Sequence, residues 1–218
     1  ATNVVFATRS ITITAANKSA TYTGSTVSVS NSYTISSGTL VGSDTFTSLT
    51  YTYTSASPSY SSTTAPTAAG TYTITPSAAS GTGSSNYTIT YETATLTVSA
   101  TSQSTLTLTS TSGTYGTTLK LTTSGGSGTG AVSYSTSSAG CSITNTDSLT
   151  VTGAITCSVT ATKAADSNYN SASDTKNVTF GAKSISITPS SVSKTYGDVN
   201  PRSEEHTSEL QSRVDISY

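Results

Sequence analysis

The stretch Gly70–Val98 reads GTYTITPSAASGTGSSNYTITYETATLTV and decides the fold class. On either side of its central Gly/Ser/Ala loop, large side chains alternate with threonine, as Tyr72 and Ile74 do before the loop and Leu96 and Val98 do after it. A period of two puts the large side chains on one face of a strand and the hydroxyls on the other. The stretch therefore predicts a strand, a loop and a last strand.

The same alternation recurs along the chain in SITIT, YTYT, TLTLT, SLTVT and SISIT, so we predict an all-β protein. The composition alone is ambiguous, because Leu, Ile, Val and Phe make up only about 16% of the residues. Charged residues are 9% and the net charge is -1, so the large net charge typical of disorder is absent. The alternative, a mucin-like disordered stalk, would be rich in proline and would lack the alternation, whereas this chain has 5 prolines.

The beginning of the chain is repeated near its end. Asn3–Tyr22 (NVVFATRSITITAANKSATY) aligns without a gap with Asn177–Tyr196 (NVTFGAKSISITPSSVSKTY), at an offset of 174 residues and with ten of twenty positions identical. Self-similarity at a fixed spacing is the signature of a repeat array. We expect the chain to begin at the end of one repeat unit and to reach the same junction again near its own end.

Two non-identical halves lie between these junctions, residues 10–100 and 101–182. Both end with a strand, a small-residue loop, a Ser-Asn-Tyr triplet (85–87 and 167–169) and a last strand. Roughly 80–90 residues with about seven short strands suit an immunoglobulin-like sandwich. The predicted fold class is therefore all-β, with two tandem immunoglobulin-like β-sandwich domains; another Greek-key arrangement is the alternative.

Specific motifs resemble known bacterial repeat domains. KTYGDVNP (Lys194–Pro201) resembles the opening of MBG-type bacterial immunoglobulin-like domains, and Gly70–Val98 is similar to their end. TYGTTLKLTTSGGSGTGAVSYS (Thr114–Ser135) looks like the bacterial Ig-like repeats that accompany them in large surface proteins. The first half departs from the pattern at its start, where it has ATYTG (20–24) in place of KTYGD (194–198).

The resemblance implies a non-catalytic stalk or spacer module of an adhesin-like bacterial protein, and no catalytic residues to carry over. The predicted domains follow from the resemblance and the repeat. They are the end of a preceding Ig-like repeat (1–9), an MBG-type domain (10–100), a bacterial Ig-like domain with a cysteine pair (101–182), the truncated start of the next MBG-type domain (183–201) and a non-native tail (202–218).

The tail differs from everything before it. Six charged residues and His206, the only histidine, fall within residues 202–218. RSEEHTSELQS (202–212) resembles the in-frame translation of a common short-read sequencing adapter, and the closing ISY (216–218) resembles the segment that follows the sample barcode. The alternative is a charged helix capped by Ser203. We interpret residues 202–218 as derived from an adapter and not native.

The sequence offers no catalytic, cofactor-binding or metal site, and we predict no cofactor and no enzyme activity. Without the tail no histidine remains to activate a serine. The carboxylates are scattered, with no pair set for acid–base work. They are Asp44, Glu92, Asp147, Asp166, Asp174 and Asp198.

Cys141 and Cys157 are the strongest single signal. They lack the CxxC and histidine patterns of metal sites, so we predict a disulfide between nearby strands. Closing a loop of this size stabilises a domain by roughly 3 kcal/mol in the chain-entropy model. The alternative is a pair of reduced, buried thiols.

Tyr87 and Tyr169 each begin a final strand region, where a tyrosine corner can hydrogen-bond back to the chain. We predict a structural role for both. The Asp-x-Asn-x-Asn spacing of DSNYN (166–170) raises calcium binding as an alternative, but an EF-hand loop would need glycine at Ser171 and glutamate at Asn177.

LTYTYTS (49–55) is the sequence's candidate for a ligand-binding face. Leu49, Tyr51 and Tyr53 share one side of a strand, as in a sugar-binding surface, but a core-facing strand shows the same pattern. We predict core or half-buried packing.

The expected partners are neighbouring Ig-like repeats of the same chain, with a host or cell-surface ligand possible through the loops or the tyrosine-bearing face. The sequence has no cluster of basic residues of the kind that binds nucleic acids. It also has no apolar run long enough to cross a membrane, so we predict no membrane insertion of this segment. The predicted location is extracellular or at the bacterial cell surface, with the export signal and anchor outside this segment.

Overall fold

The computed structural model describes residues 6–189, 191 and 193–198, and in this part of the chain regular structure is almost entirely β. The first eight strands are β1 Arg9–Ala15, β2 Lys18–Thr21, β3 Tyr33–Ser37, β4 Ser48–Ala56, β5 Ser59–Ser62, β6 Gly70–Ser80, β7 Tyr87–Glu92 and β8 Ala94–Ser99. The next nine are β9 Leu106–Leu108, β10 Ser112–Thr114, β11 Leu119–Lys120, β12 Thr123–Gly125, β13 Val132–Thr136, β14 Cys141–Thr144, β15 Ser148–Val151, β16 Thr156–Lys163 and β17 Ala172–Gly181. A short 3-10 turn spans Ser84–Asn86. The all-β prediction is confirmed.

Strands β1–β8 form the first sandwich. One sheet has the order β3-β1-β7 and the other β2-β8-β6-β4-β5. The consecutive strands β1 and β2 run parallel to the consecutive strands β7 and β8, with Arg9 opposite Tyr87 and Lys18 opposite Leu96. Both strand pairs therefore pass from one sheet to the other and form a corner between them.

The sequence alternation explains which side of each strand is buried. In β8, Ala94, Leu96 and Val98 are buried while the intervening residues are exposed. In β1, Ile11 and Ile13 are buried. The large side chains of the two sheets meet inside the sandwich and leave threonine and serine hydroxyls in water, as a period of two requires.

Strands β9–β17 form the second sandwich. Its largest sheet has the order β10-β17-β16-β13, and the smaller ones are β11-β15-β14 and β12-β9. Its core includes Leu149, Cys157, Val159, Val178 and Phe180. β10 runs parallel to β17, as β2 does to β8 in the first sandwich. The tandem immunoglobulin-like β-sandwich class is thus confirmed.

The chain divides into two compact units, residues 1–183 and 184–218. The first unit contains both sandwiches, and the predicted boundaries 10–100 and 101–182 within it stay a prediction. The described residues of the second unit form no strand; Ile185 and Ile187 are exposed, and Thr195 accepts a hydrogen bond from the Asp198 amide in a turn. The predicted non-native tail, 202–218, lies outside the described residues.

Candidate functional site: the junction between the sandwiches

The chain crosses from the first sandwich to the second at residues 99–101, and backbone hydrogen bonds fix this crossing. The Tyr22 amide donates to the carbonyl of Ser99 (2.9 Å). The Thr101 amide donates to the carbonyl of Asn168 (3.0 Å), and the Asn170 amide donates to the carbonyl of Thr101 (2.8 Å). These last two bonds pair Thr101 with Tyr169 as a parallel bridge. The linker is therefore tied to both sandwiches.

Asn168 also connects the two sandwiches through its side chain. Its Oδ1 accepts a hydrogen bond from the Ala69 amide at 2.9 Å, although the two residues lie 99 positions apart. Ala69 is 6% exposed and precedes β6. A buried amide without an acceptor destabilises a fold by about 1–3 kcal/mol, so this bond favours the docked arrangement.

A tyrosine pair adds an apolar contact at the same place. The rings of Tyr22 and Tyr169 meet edge to face, with centroids 5.3 Å apart and an interplanar angle of 82°. Burial raises the pKa of the Tyr169 hydroxyl, and the neighbouring Tyr22 phenol raises it further. Edge-to-face pairs contribute about 0.5–1.5 kcal/mol beyond the area that they bury. The ring of Tyr169 thus packs across the junction.

Asp166 shapes the loop that carries Asn168 and Tyr169. Its Oδ1 accepts hydrogen bonds from the amides of both residues (2.9 and 2.8 Å). Its Oδ2 accepts from the amide and the hydroxyl of Thr129 (2.6 and 3.0 Å). The bond from the Thr129 amide, followed by that from the Asn168 amide, lowers the pKa of Asp166 to about 2. Both carboxylate oxygens thus hold the loop in shape.

The calcium alternative for DSNYN gains no support from this loop. Its carboxylate oxygens already face protein donors, and the part of the chain that the structure describes contains no group of three or more His, Cys, Asp or Glu side chains arranged to bind a metal. Other carboxylates make structural contacts in separate parts of the fold. For example, Asp44 accepts from Tyr87 and Asp174 accepts from the amide of Leu108.

Sequence reasoning missed most of the junction. Gln103 donates hydrogen bonds to the carbonyls of Ala164 and Asn170 (3.2 and 2.9 Å), but it lies in no sequence motif that would have indicated this role. Ala69 contributes only its backbone. The one available signal was the repeated Ser-Asn-Tyr triplet, which marked positions 167–169 but not their partners in the other half.

The first triplet, residues 85–87, is arranged differently. The hydroxyl of Tyr87 donates to Asp44 Oδ2 (2.8 Å) and accepts from the amide of Val41 (2.7 Å), so it bonds back to its own sandwich. The ring packs edge to face on Phe46, with centroids 5.9 Å apart. Burial raises the pKa of this hydroxyl. Tyr87 therefore supports the loop between β3 and β4 from within the first sandwich.

The predicted cysteine pair, Cys141 and Cys157, forms a disulfide bond in the structure. Their Cα atoms are 6.0 Å apart, and the bond joins β14 in a small sheet to β16 in the four-stranded sheet. Cys157 is fully buried. The bond therefore fastens two sheets of the second sandwich through its core.

The tyrosines of LTYTYTS separate into two environments. Tyr53 belongs to the core at 2% exposure, whereas Leu49, Tyr51 and Tyr33 line an open groove of about 470 Å³ whose lining carries no charge. Asn31 lies at this groove; its Nδ2 donates to the Tyr53 hydroxyl (2.6 Å), while its buried Oδ1 has no partner among the described residues. Burial raises the pKa of Tyr51. Core packing thus holds for Tyr53, and half-buried packing holds for Leu49 and Tyr51.

Among the described residues, no helix has the length and hydropathy needed to span a bilayer. A search of curated proteins gave no match. Among solved structures, a crystal structure of mouse cadherin-23 EC22-24 matches with 14% sequence identity and a TM-score of 0.37, covering 80% of this chain and 68% of the cadherin chain. Residues 11–97 match the family described as MBG domain (YGX type). The predicted resemblance to MBG-type domains is therefore confirmed for this segment.

Proposed function

We propose that this chain is part of a tandem array of β-sandwiches that acts as a non-catalytic spacer in an adhesin-like bacterial surface or secreted protein. The units of such an array contact each other end to end, and the array's function depends on its length. One observation carries the proposal: equivalent sequence positions are buried in a complete sandwich and exposed in a partial copy.

The aligned repeat positions make this contrast measurable. Phe180 is 2% exposed at the end of β17, whereas Phe6, its equivalent at the start of the chain, is 89% exposed. Ile11 and Ile13 are 2% and 0% exposed in β1, whereas their equivalents Ile185 and Ile187 are 83% and 85% exposed. Complete neighbouring copies would supply the sheets against which these side chains pack.

Burying these side chains against neighbouring copies would contribute a large stabilising free energy. Burying an isoleucine or phenylalanine side chain contributes about 1.5–3 kcal/mol. Exposed side chains of this size are common singly on protein surfaces, but here they occur at the positions that the complete copies use for their cores. These exposures support the proposed array, in which the partial copies belong to further sandwiches of the same kinds.

The junction supports the spacer role. Hydrogen bonds from the linker to both sandwiches, the bond from Ala69 to Asn168 and the Tyr22–Tyr169 contact restrict the angle between neighbouring units. The hydroxyl-rich outer faces stay hydrated with little charge. An array joined in this way keeps its ends apart.

The proposal sets the array outside the bacterial cell. The disulfide between Cys141 and Cys157 supports this location, because structural disulfides persist in oxidising compartments. The match of residues 11–97 to the MBG domain family supports it as well, because the sequence resemblance to such domains implies a large bacterial surface protein. The partners are neighbouring repeats of the same chain.

Small-angle X-ray scattering on chains with one, two and three copies of residues 9–182 tests the spacer role. The longest strand, β6, has 11 residues, and at about 3.3 Å per residue a sandwich of this length adds about 36 Å. We expect the maximum dimension to grow by a constant increment of about 70 Å per copy. Increments that shrink steadily as copies are added would contradict the spacer role.

The groove at Tyr33, Leu49 and Tyr51 favours a second candidate function, the binding of a sugar. An uncharged groove of about 470 Å³ with aromatic walls suits a ring that has hydroxyl groups and an apolar face. Isothermal titration with monosaccharides, comparing the chain with its Tyr51→Ala variant, tests this role. Binding that the variant loses supports the role, and no binding by the unmodified chain refutes it.

A further inference from the structure

We propose that the end of the first sandwich opposite the junction, formed by Ser85 and Asn86 beside Phe6, is the docking face for a preceding copy of the second sandwich. We further propose that Asn86 Oδ1 accepts a hydrogen bond from the Ala154 amide of that copy. This inference rests on the proposed tandem array and names the contact between its units that this chain does not itself contain.

The first step is that the two sandwiches receive the incoming chain in the same way. Arg9 pairs in parallel with Tyr87 at the entry to the first sandwich, and Thr101 pairs in parallel with Tyr169 at the entry to the second. Tyr87 and Tyr169 each close a Ser-Asn-Tyr triplet. Asn86 is therefore the structural equivalent of Asn168.

The second step is that the two sandwiches also end in the same way. The Tyr22 amide donates to the Ser99 carbonyl in the first, and the Tyr115 amide donates to the Gly181 carbonyl in the second (2.9 and 2.8 Å). Ser99 and Gly181 are thus equivalent. Ser99 lies two residues before the entry at Thr101, and Ala7, the repeat equivalent of Gly181, lies two residues before the entry at Arg9. The linker has the same length at both junctions.

The third step identifies the donor. In the first sandwich Gly70 pairs with Val98, which brings Ala69 opposite Ser99. In the second sandwich Thr156 pairs with Thr179, and two further residues along this antiparallel pair bring Ala154 opposite Gly181. Ala154 is therefore the equivalent of Ala69, the residue whose amide donates to Asn168.

The fourth step is that neither group has a partner among the residues that the structure describes. Ala154 is exposed, and no hydrogen bond from its amide occurs within the described residues. The side chain of Asn86 is exposed too, and among the described residues its carboxamide makes no hydrogen bond, although its backbone amide donates to the carbonyl of Gly83. Phe6, Ser85 and Asn86 border a cavity of about 330 Å³. The outer ends of the two sandwiches thus present one donor and one acceptor that match the occupied pair at the junction.

The exposed ring of Tyr115 also indicates that the second sandwich docks against a neighbour at this end. It is 41% exposed at the end of the second sandwich, where its equivalent Tyr22 is covered by Tyr169. Tyr87 is committed to the interior of the first sandwich through Phe46 and Asp44, so it does not cover Tyr115 as Tyr169 covers Tyr22. The proposed junction thus shares the hydrogen bond of the observed one but has a different ring contact.

An extended chain, in which residues 101–182 are followed directly by residues 9–218, tests this contact. In it Ala182 precedes Arg9, just as Ala182 precedes Lys183, the repeat equivalent of Arg9, in the present chain. In the extended chain we expect Asn86→Ala to lower the urea midpoint and to speed exchange of the Ala154 amide in the added copy by about tenfold or more. In the present chain the same substitution should change neither quantity. Asn86→Asp, which keeps an acceptor oxygen, should restore both quantities in the extended chain.

The possible outcomes separate this inference from the proposed function. Asn86→Ala without effect in the extended chain, or with equal effect in both chains, would overturn the docking face. If the scattering dimension still grows by constant increments in that case, the spacer role stands and its units are joined by the other contacts. Shrinking increments would instead remove the spacer role itself.

Discussion

Replacing Asn168 by alanine tests the junction most sharply, because its side chain provides a single defined bond between the sandwiches. Asn168→Ala removes the acceptor of the Ala69 amide, which lies at 2.9 Å in a residue that is 6% exposed. An amide left buried without an acceptor costs about 1–3 kcal/mol. Opening at this site should become easier by that amount, which corresponds to an exchange rate of the Ala69 amide that is about 5- to 150-fold faster.

Hydrogen exchange followed by mass spectrometry on residues 66–70 measures this effect, and urea unfolding measures the loss of global stability. Asn86→Ala is the matched control, because it truncates the equivalent residue of the other triplet, whose side chain is exposed and unpartnered among the described residues. The control should change stability by less than about 0.5 kcal/mol. Equal, small effects from both substitutions would refute the role of Asn168 in holding the sandwiches together.

Three other variants test separate parts of the structure. The double variant Cys141→Ala/Cys157→Ala should lose roughly 3 kcal/mol of unfolding free energy, measured in urea against the unmodified chain under oxidising conditions, and an unchanged midpoint would contradict this. Asp166 has a pKa of about 2 in the folded chain and about 3.9 when unfolded, so its contribution to stability is present above about pH 4 and is lost as the pH falls to about 2. Asp166→Asn should therefore lower stability at neutral pH and flatten this acid-dependent loss in urea titrations; a parallel loss in both proteins would contradict the assignment. Tyr87→Phe leaves the Val41 amide without its acceptor and should destabilise the first sandwich by about 1–3 kcal/mol by thermal unfolding, whereas a change near zero would show that water replaces the hydroxyl.

The sequence predicts the faces of the strands well, because a period of two has only one way to bury its large side chains. The burial of Ile11 and Ile13 in β1 and of Leu96 and Val98 in β8 follows directly from SITIT and TATLTV. The break between β1 and β2 does not follow. There the chain turns from one sheet to the other, and Asn17 accepts the Thr95 amide (2.8 Å) at the corner.

The contacts at the junction could not be predicted from the sequence, and the reason is physical. Alternation shows which side of a strand faces inward, but it carries no information about which distant residue will face it. The Ser-Asn-Tyr triplet marks Tyr169 but not its partner, and Tyr22 is an ordinary member of its segment. Ala69 acts through a backbone amide that every residue except proline possesses. The pairing of these groups depends on how the two sandwiches meet, which only the three-dimensional arrangement provides.

The cysteine pair shows the opposite case. Two cysteines without histidine leave few chemical options, and the pairing of Cys141 with Cys157 needed no knowledge of the sheets. The partner strands were still unspecified by the sequence, and the structure shows that the bond joins β14 to β16. Chemistry that depends on rare residue types is thus more predictable than contacts among the abundant threonines, serines and tyrosines.

Residual dipolar couplings of backbone amides in the intact, weakly aligned chain measure most directly whether the junction fixes the two sandwiches as one body. The account predicts that a single alignment tensor fits the couplings of residues 10–100 and 101–182 together. Two tensors of different magnitude and orientation would show that the sandwiches move independently, and the hydrogen bonds at Thr101 and Asn168 would then not hold the array in an extended form.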